Sequence, residues 1–151
     1  MAKRETVVIG GTFDRFHRGH RLLLEFAAHL GRRIILGVTS DKFVAGKSHG
    51  TEPFFQRVEK VSDFFRKKHV KFEVFKLDDF AGPSVSLEKG TLLVTSDNLN
   101  RGLLINRLRI ERKLASLEIL VVPLLEAEDS KPLSSTRVRI GEVDEEGFLK
   151  R

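Results

Sequence analysis

The sequence predicts an α/β fold built on a doubly wound parallel sheet. Two observations point there. Short apolar runs such as Val7-Val8-Ile9 alternate with longer amphipathic stretches such as Leu22 to Leu30, the pattern of strands joined by crossover helices and covered on both faces. A chain of 151 residues is also long enough to bury a sizeable core within one domain.

Each element follows from local signals. Val7 to Gly10 is the first strand, and Gly10-Gly11 permits a tight turn after it. A helix runs from Arg18 to Leu30, where Gly31 stops it. Ile34 to Val38 is the second strand. Pro53 starts a helix that carries Phe54, Val58, Val61, Phe64 and Phe65 on roughly one face. Phe72 to Leu77 is the third strand and Thr91 to Thr95 the fourth. A helix over about Leu99 to Leu114 follows, then a fifth strand over Leu117 to Val122, ended by Pro123. Short helices are expected near Ser135 and near Asp144. Right-handed crossovers then give a doubly wound, Rossmann-like sheet, for which 3-2-1-4-5 is the usual strand order, with ligands at the carboxyl edge. Thr12, Thr39 to Lys42, Asp78-Asp79 and Thr95-Ser96 all lie just past strand ends and gather at one rim. No repeat or linker divides residues 1–151, so one domain is expected.

Composition narrows the class. No stretch approaches the roughly 18 apolar residues of a membrane span, and Met1-Ala2-Lys3-Arg4-Glu5 has no apolar signal core. The chain has no cysteine, which excludes a disulfide framework or thiolate metal site. A soluble cytoplasmic protein is expected. The 32% of charged residues resembles the thermophile bias toward Lys, Glu and Arg. A net charge of +6 suggests an anionic partner; nucleic acid, ATP and a phosphorylated metabolite all satisfy it.

Two motifs carry the chemistry. Gly10-Gly11-Thr12-Phe13-Asp14-Arg15-Phe16-His17-Arg18-Gly19-His20 reads as strand end, loop and helix start. His17 and His20, at i and i+3, share a helix face, and the amides and dipole of a helix N-terminus suit a phosphate. Either imidazole can donate to a phosphate oxygen. Gly19 allows close approach, and the Thr12 hydroxyl can bond the same anion. Asp14 either caps backbone amides or holds magnesium. Phe13 and Phe16 either line an adenine pocket or pack. His29, His49 and His69 read as ordinary polar residues, and without H-E-x-x-H zinc is not expected. The second motif is Leu133-Ser134-Ser135-Thr136-Arg137-Val138-Arg139. Ser134, Ser135 and Thr136 could form only a helix cap, but hydroxyls and amides at a helix start also hold polyphosphate, and Arg137 and Arg139 could add charge there. Gly46-Lys47-Ser48 imitates the end of a P-loop but lacks the earlier glycine.

These two motifs, in this order, resemble the signature of the H-x-G-H nucleotidyltransferases. From Val7 to about Phe148 the chain looks like the archaeal-type phosphopantetheine adenylyltransferases within that superfamily. The resemblance implies that ATP and 4'-phosphopantetheine are the substrates, and that Mg2+ enters with ATP. It implies that Lys42 bridges the phosphates of both, with Lys47 a weaker candidate, and that Asn106 and Arg109 point toward ATP. With Arg101, Arg107, Arg112 and Lys113, those two residues make a basic helix. Gly11, Phe13 and Gly19, with Ser134, Ser135 and Thr136, would complete the nucleotide site. His20 would meet the developing charge on the α-phosphate, His17 would assist, and Thr12 would orient the attacking phosphate. Bacterial relatives carry Arg-Gly-Leu-Arg where this chain has Thr95-Ser96-Asp97-Asn98.

Two rival readings stand beside this one. Sister enzymes acting on FMN, nicotinamide mononucleotide or glycerol phosphate share both motifs. A non-enzymatic nucleic-acid-binding module would use the charge and Arg66-Lys67-Lys68, but the chain has no Trp, no Tyr and no known binding motif, so no nucleic-acid or membrane partner is expected. Oligomeric state stays open.

Overall fold

The computed structural model describes residues 2–45 and 50–151. Five parallel strands form one sheet in the order β3-β2-β1-β4-β5: β1 Arg4–Gly11, β2 Gly31–Thr39, β3 Lys71–Leu77, β4 Thr91–Thr95 and β5 Glu118–Val122. β1 lies at the centre, with Val7 opposite both Ile34 of β2 and Thr91 of β4. Val7, Val8 and Ile9 are all buried, as a strand covered on both faces requires.

Helices cover the two faces. α1 (Arg18–Leu30) and α3 (Phe54–Lys67) pack on one. α1 buries Leu23, Leu24, Ala27 and Leu30, and α3 buries Val61 and Phe65, in a core shared with Val7, Ile9, Ile34 and Leu36. On the other face, α4 (Leu99–Glu111) brings Ile105 to a core with Val8, Ile35, Leu92 and Val94. The winding direction reverses between β1 and β4, which opens a crevice at their carboxyl ends. Two short helices stand at that edge: α2 (Asp41–Ala45) after β2 and α5 (Ser135–Arg139) after β5. Among the described residues no helix is long and apolar enough to cross a membrane.

The architecture and strand order are as the sequence predicts, with four local corrections. Gly10 and Gly11 do not turn; they continue β1, opposite Gly37 and Val38. Gly31 does stop α1, as its C-cap, but in an extended and not a left-handed conformation. Its φ is −106° and it opens β2, where an added Cβ would lie 2.8 Å from Ile34 Cδ1 and 2.9 Å from Val7 Cγ2; close packing explains this glycine. α4 stops at Glu111 because Lys113 turns left-handed (φ 62°). Lys113 N then donates to Ile110 O and Leu114 N to Arg109 O, a Schellman closure. Finally, no helix begins near Asp144. Its carboxylate accepts the amides of Glu146 and Phe148, and Gly147 at φ 91° reverses the chain so that Val143 bridges Leu149. Asp144 closes a turn instead of capping a helix.

Candidate active site

The crevice between β1 and β4 holds a cavity of about 440 Å³, within the usual size of a small-molecule site. Its walls come from all five strand ends: Thr12, Phe13, His17 and His20 past β1; Thr39 at the end of β2 with Phe43 past it; Phe80, Ala81 and Pro83 past β3; Thr95 at the end of β4 with Asp97, Asn98 and Arg101 past it; and Pro123 to Leu125 with Ser134 and Ser135 past β5.

The loop after β1 is held in an uncommon shape. Phe13 and Arg15 have φ of 55° and 51°, left-handed values that non-glycine residues adopt only when their surroundings fix them. Here they do. The Asp14 carboxylate, almost fully buried, accepts Glu52 N at 2.8 Å and an Arg139 guanidinium N–H at 2.8 Å. Arg15 N donates to Glu52 Oε1 at 2.8 Å, and Ser135 Oγ donates to Asp14 O at 2.7 Å. Asp14 is therefore the capping residue of the two readings, and it ties the first motif to the second.

The histidines cap one another. His17 is the N-cap of α1, and its Nδ1 accepts Gly19 N at 3.1 Å and His20 N at 3.3 Å. His20 Nδ1 accepts His17 N at 3.2 Å. The two rings stack with centroids 3.7 Å apart. An Nδ1 that accepts carries no proton, so a neutral ring must hold its proton on Nε2. Burial, seconded by the Arg21 charge, pushes the His17 pKa down to about 4. Burial, then His17 and Arg21, push that of His20 well below its ordinary range. Both rings are neutral at neutral pH, and each leaves an Nε2–H donor for the cavity that the rings line.

Helix amides, by contrast, are not on offer. Arg18 N donates to Glu145 O and Arg21 N to His17 O, while Gly19 N and His20 N serve His17. This corrects the expectation that the start of α1 meets a phosphate with its backbone: the imidazoles present the donors instead. Gly19 lines the cavity and has a second constraint. An added Cβ would lie 2.9 Å from His17 Cε1, so this glycine also leaves room for the His17 ring. At Gly11 an added Cβ would lie 3.2 Å from the Phe13 ring.

A model of the cytidylyltransferase-like family matches residues 8–140. The chain belongs to that family. It is 39% identical over 148 residues to a phosphopantetheine adenylyltransferase of Methanothermobacter thermautotrophicus, covering 97% of this chain and 90% of that one. It is 41% identical over 150 residues to one of Methanopyrus kandleri, covering 96% and 94%. A crystal structure of an Archaeoglobus fulgidus protein described as of unknown function superposes with a TM-score of 0.72 at 31% identity, covering 78% of this chain and 88% of that one.

Several residues that the resemblance assigns to the site in this cytidylyltransferase-like chain lie elsewhere. Arg109 is fully buried, and its guanidinium donates to the carbonyls of Ala115, Ser84, Leu87 and Glu88 at 2.6–2.9 Å. Asn106 donates to Leu117 O and accepts Leu117 N. Both pin α4 to neighbouring loops, because their helix face is the core face. From α4 it is Arg101 that reaches the cavity, the one Lys or Arg among its described wall residues. Lys42 stands on the exposed first turn of α2, beside the wall residues Phe43 and Val44, and is not itself a wall residue. Thr136 is exposed, with Oγ1 accepting from Arg139 at 3.3 Å. Arg139 is paired to Asp14, and Arg137 to Asp129 and Glu142. Ser134 Oγ caps α5 by accepting Arg137 N at 3.2 Å. Phe13 lines the cavity, while Phe16 stacks on His20 and meets Phe64 edge-on. Gly46, Lys47, Ser48 and His49 lie outside the described residues.

Sequence reasoning missed Arg57 and left Thr39 without a role. Arg57 donates to Glu52 O, Thr12 O, Thr39 O and the Asp41 carboxylate at 2.8–2.9 Å. Its signal was legible: a charged residue within the apolar stripe Phe54, Val58, Val61. In the sequence Arg101 is one member of a basic helix, with nothing to set it apart. As for a metal, among the described residues no group of three His, Cys, Asp or Glu is arranged to hold one, and Asp14 is spent on Arg139 and Glu52.

Proposed function

We propose that this chain transfers the adenylyl group of ATP to 4'-phosphopantetheine. A phosphate oxygen of the acceptor attacks the α-phosphorus, the bond from that phosphorus to the bridging oxygen breaks, and dephospho-CoA and pyrophosphate result. The acceptor is supported by the near full-length likeness to proteins named phosphopantetheine adenylyltransferase. The chemistry is carried by one observation: two imidazoles locked neutral by reciprocal capping, each with an Nε2–H left for the cavity.

A phosphate monoester is already an anion at neutral pH and needs no general base. Catalysis then rests on positioning and on donors aimed at developing charge. His20 meets the charge growing on the α-phosphate, stacked His17 assists, and the Thr12 hydroxyl orients the attacking phosphate. Arg101 supplies the fixed positive charge for the polyphosphate, and Lys42, on the exposed first turn of α2, neutralises the phosphates of both substrates. The α5 start, with Ser134 and Ser135, faces the nucleotide side. Magnesium, in this reading, arrives on ATP with water and phosphate ligands.

Pyrophosphate release from ATP tests the proposal, measured with phosphopantetheine, dephosphorylated pantetheine, FMN, nicotinamide mononucleotide and glycerol phosphate. Release with phosphopantetheine alone is expected. Equal or better turnover of another acceptor overturns the acceptor assignment and leaves nucleotidyl transfer standing.

A further inference from the structure

We propose that Thr39, braced by Arg57, is a positioning residue that fixes the Thr12 hydroxyl as a hydrogen-bond donor into the cavity. The inference rests on the adenylyl-transfer reading only for the identity of the phosphate that Thr12 meets.

The argument follows the protons. Arg57 is fully buried on α3. Its Nη1 donates to Thr12 O and Thr39 O, both at 2.9 Å, and lies 3.4 Å from Thr39 Oγ1. A guanidinium has donors only, so the Thr39 hydroxyl can face it with nothing but a lone pair. Thr39 is itself buried, 6% exposed, and the O–H of a buried residue needs an acceptor. Among the described residues the acceptor it meets is Thr12 Oγ1, 3.0 Å away. The Thr39 proton therefore points to Thr12. Thr12 Oγ1, already receiving one proton, keeps its own for another acceptor, and the residue lines the cavity. With the order reversed, Thr12 would turn a lone pair toward an anionic ligand. Removing a buried guanidinium leaves the groups it bonds without a donor. This one holds the last residue of β2 and the first residue past β1 in register behind the place where an anion would sit.

Thr39→Val removes the relay and keeps the β-branched shape; Thr39→Ser keeps the hydroxyl; Thr12→Val removes the donor. Thr39→Ala stands in should the valine variant not fold, and circular dichroism with thermal melts checks folding throughout. Thr39→Val and Thr12→Val should each lower kcat/KM by about tenfold to a hundredfold, the size of one hydrogen bond to a charged oxygen. Thr39→Ser should stay near wild type. The deciding result is the double variant: if Thr39 acts through Thr12, Thr12→Val with Thr39→Val is no worse than Thr12→Val alone. The same cycle is measured on calorimetric affinity for inorganic phosphate. A wild type that turns over no phosphopantetheine sinks the acceptor assignment, and the phosphate cycle then decides the relay by itself. Additive losses in the cycle, or wild-type values for Thr39→Val in both assays, overturn it.

Discussion

Acidification should break the histidine pair, and the size of the effect follows from the cap. His17 Nδ1 holds two helix amides and His20 Nδ1 holds a third; a proton on either nitrogen turns an acceptor into a donor. Folded, His17 titrates near 4, against 6.5 for an ordinary histidine. The unfolded chain therefore binds the proton first as pH falls. The stability from this residue is fully present above pH 6.5, declines as pH drops below it, and is gone by about pH 4. At about 1.36 kcal/mol per pH unit, that interval amounts to about 3 kcal/mol. His20, depressed in the same direction, adds a loss of the same sign. The control is His17→Asn, which keeps an N-cap acceptor and does not titrate. Urea unfolding of both proteins from pH 7 to pH 4 gives a difference curve in which losses common to both cancel. Wild type should fall about 3 kcal/mol further than His17→Asn. Parallel curves, or imidazole nitrogen shifts showing protons on Nδ1 at pH 7, would refute the locked tautomer.

Other substitutions separate site from scaffold. Arg109→Met should lower stability by several kcal/mol, because the carbonyls of Ala115, Ser84, Leu87 and Glu88 lose their donor at about 1–3 kcal/mol each, while ATP affinity of the folded fraction, read by calorimetry, stays unchanged. Arg101→Ala, at an exposed residue, should leave the melting temperature within a degree or two and weaken ATP binding about tenfold or more, the size of a charge-assisted contact. Gly19→Ala should fold, since the clash is with the His17 ring alone, and should cut turnover about tenfold or more by displacing that ring. His20→Ala should retain the fold and lose about 10²–10³ in turnover, as when one charge-stabilising donor is removed; near-normal rates would exclude its role.

Patterning along the chain determined most of the architecture. Consecutive apolar runs made doubly buried strands, and helical periodicity placed Phe54, Val58, Val61 and Phe65 on one face, so the doubly wound class follows from local signals, and the order 3-2-1-4-5 is the usual one for that class. The H-x-G-H stretch likewise marked the site, because loop, glycine and histidine pair are adjacent in sequence. What the sequence could not decide was direction. Asn106 and Arg109 lie on the same helix as Arg101, and only packing against β4 and β5 turns the first two to buried backbone and the third to the cavity. Arg57 and Thr39 gain their meaning from Thr12, 45 and 27 residues away, a contact that no local pattern encodes. The histidines are the sharpest case: their spacing is written in the sequence, but their protonation is set by which ring nitrogen the first turn of α1 captures and by how little water reaches it. Local periodicity is a property of neighbours in the chain, whereas desolvation and hydrogen-bond direction are properties of neighbours in space, and those exist only once the sheet has closed around β1.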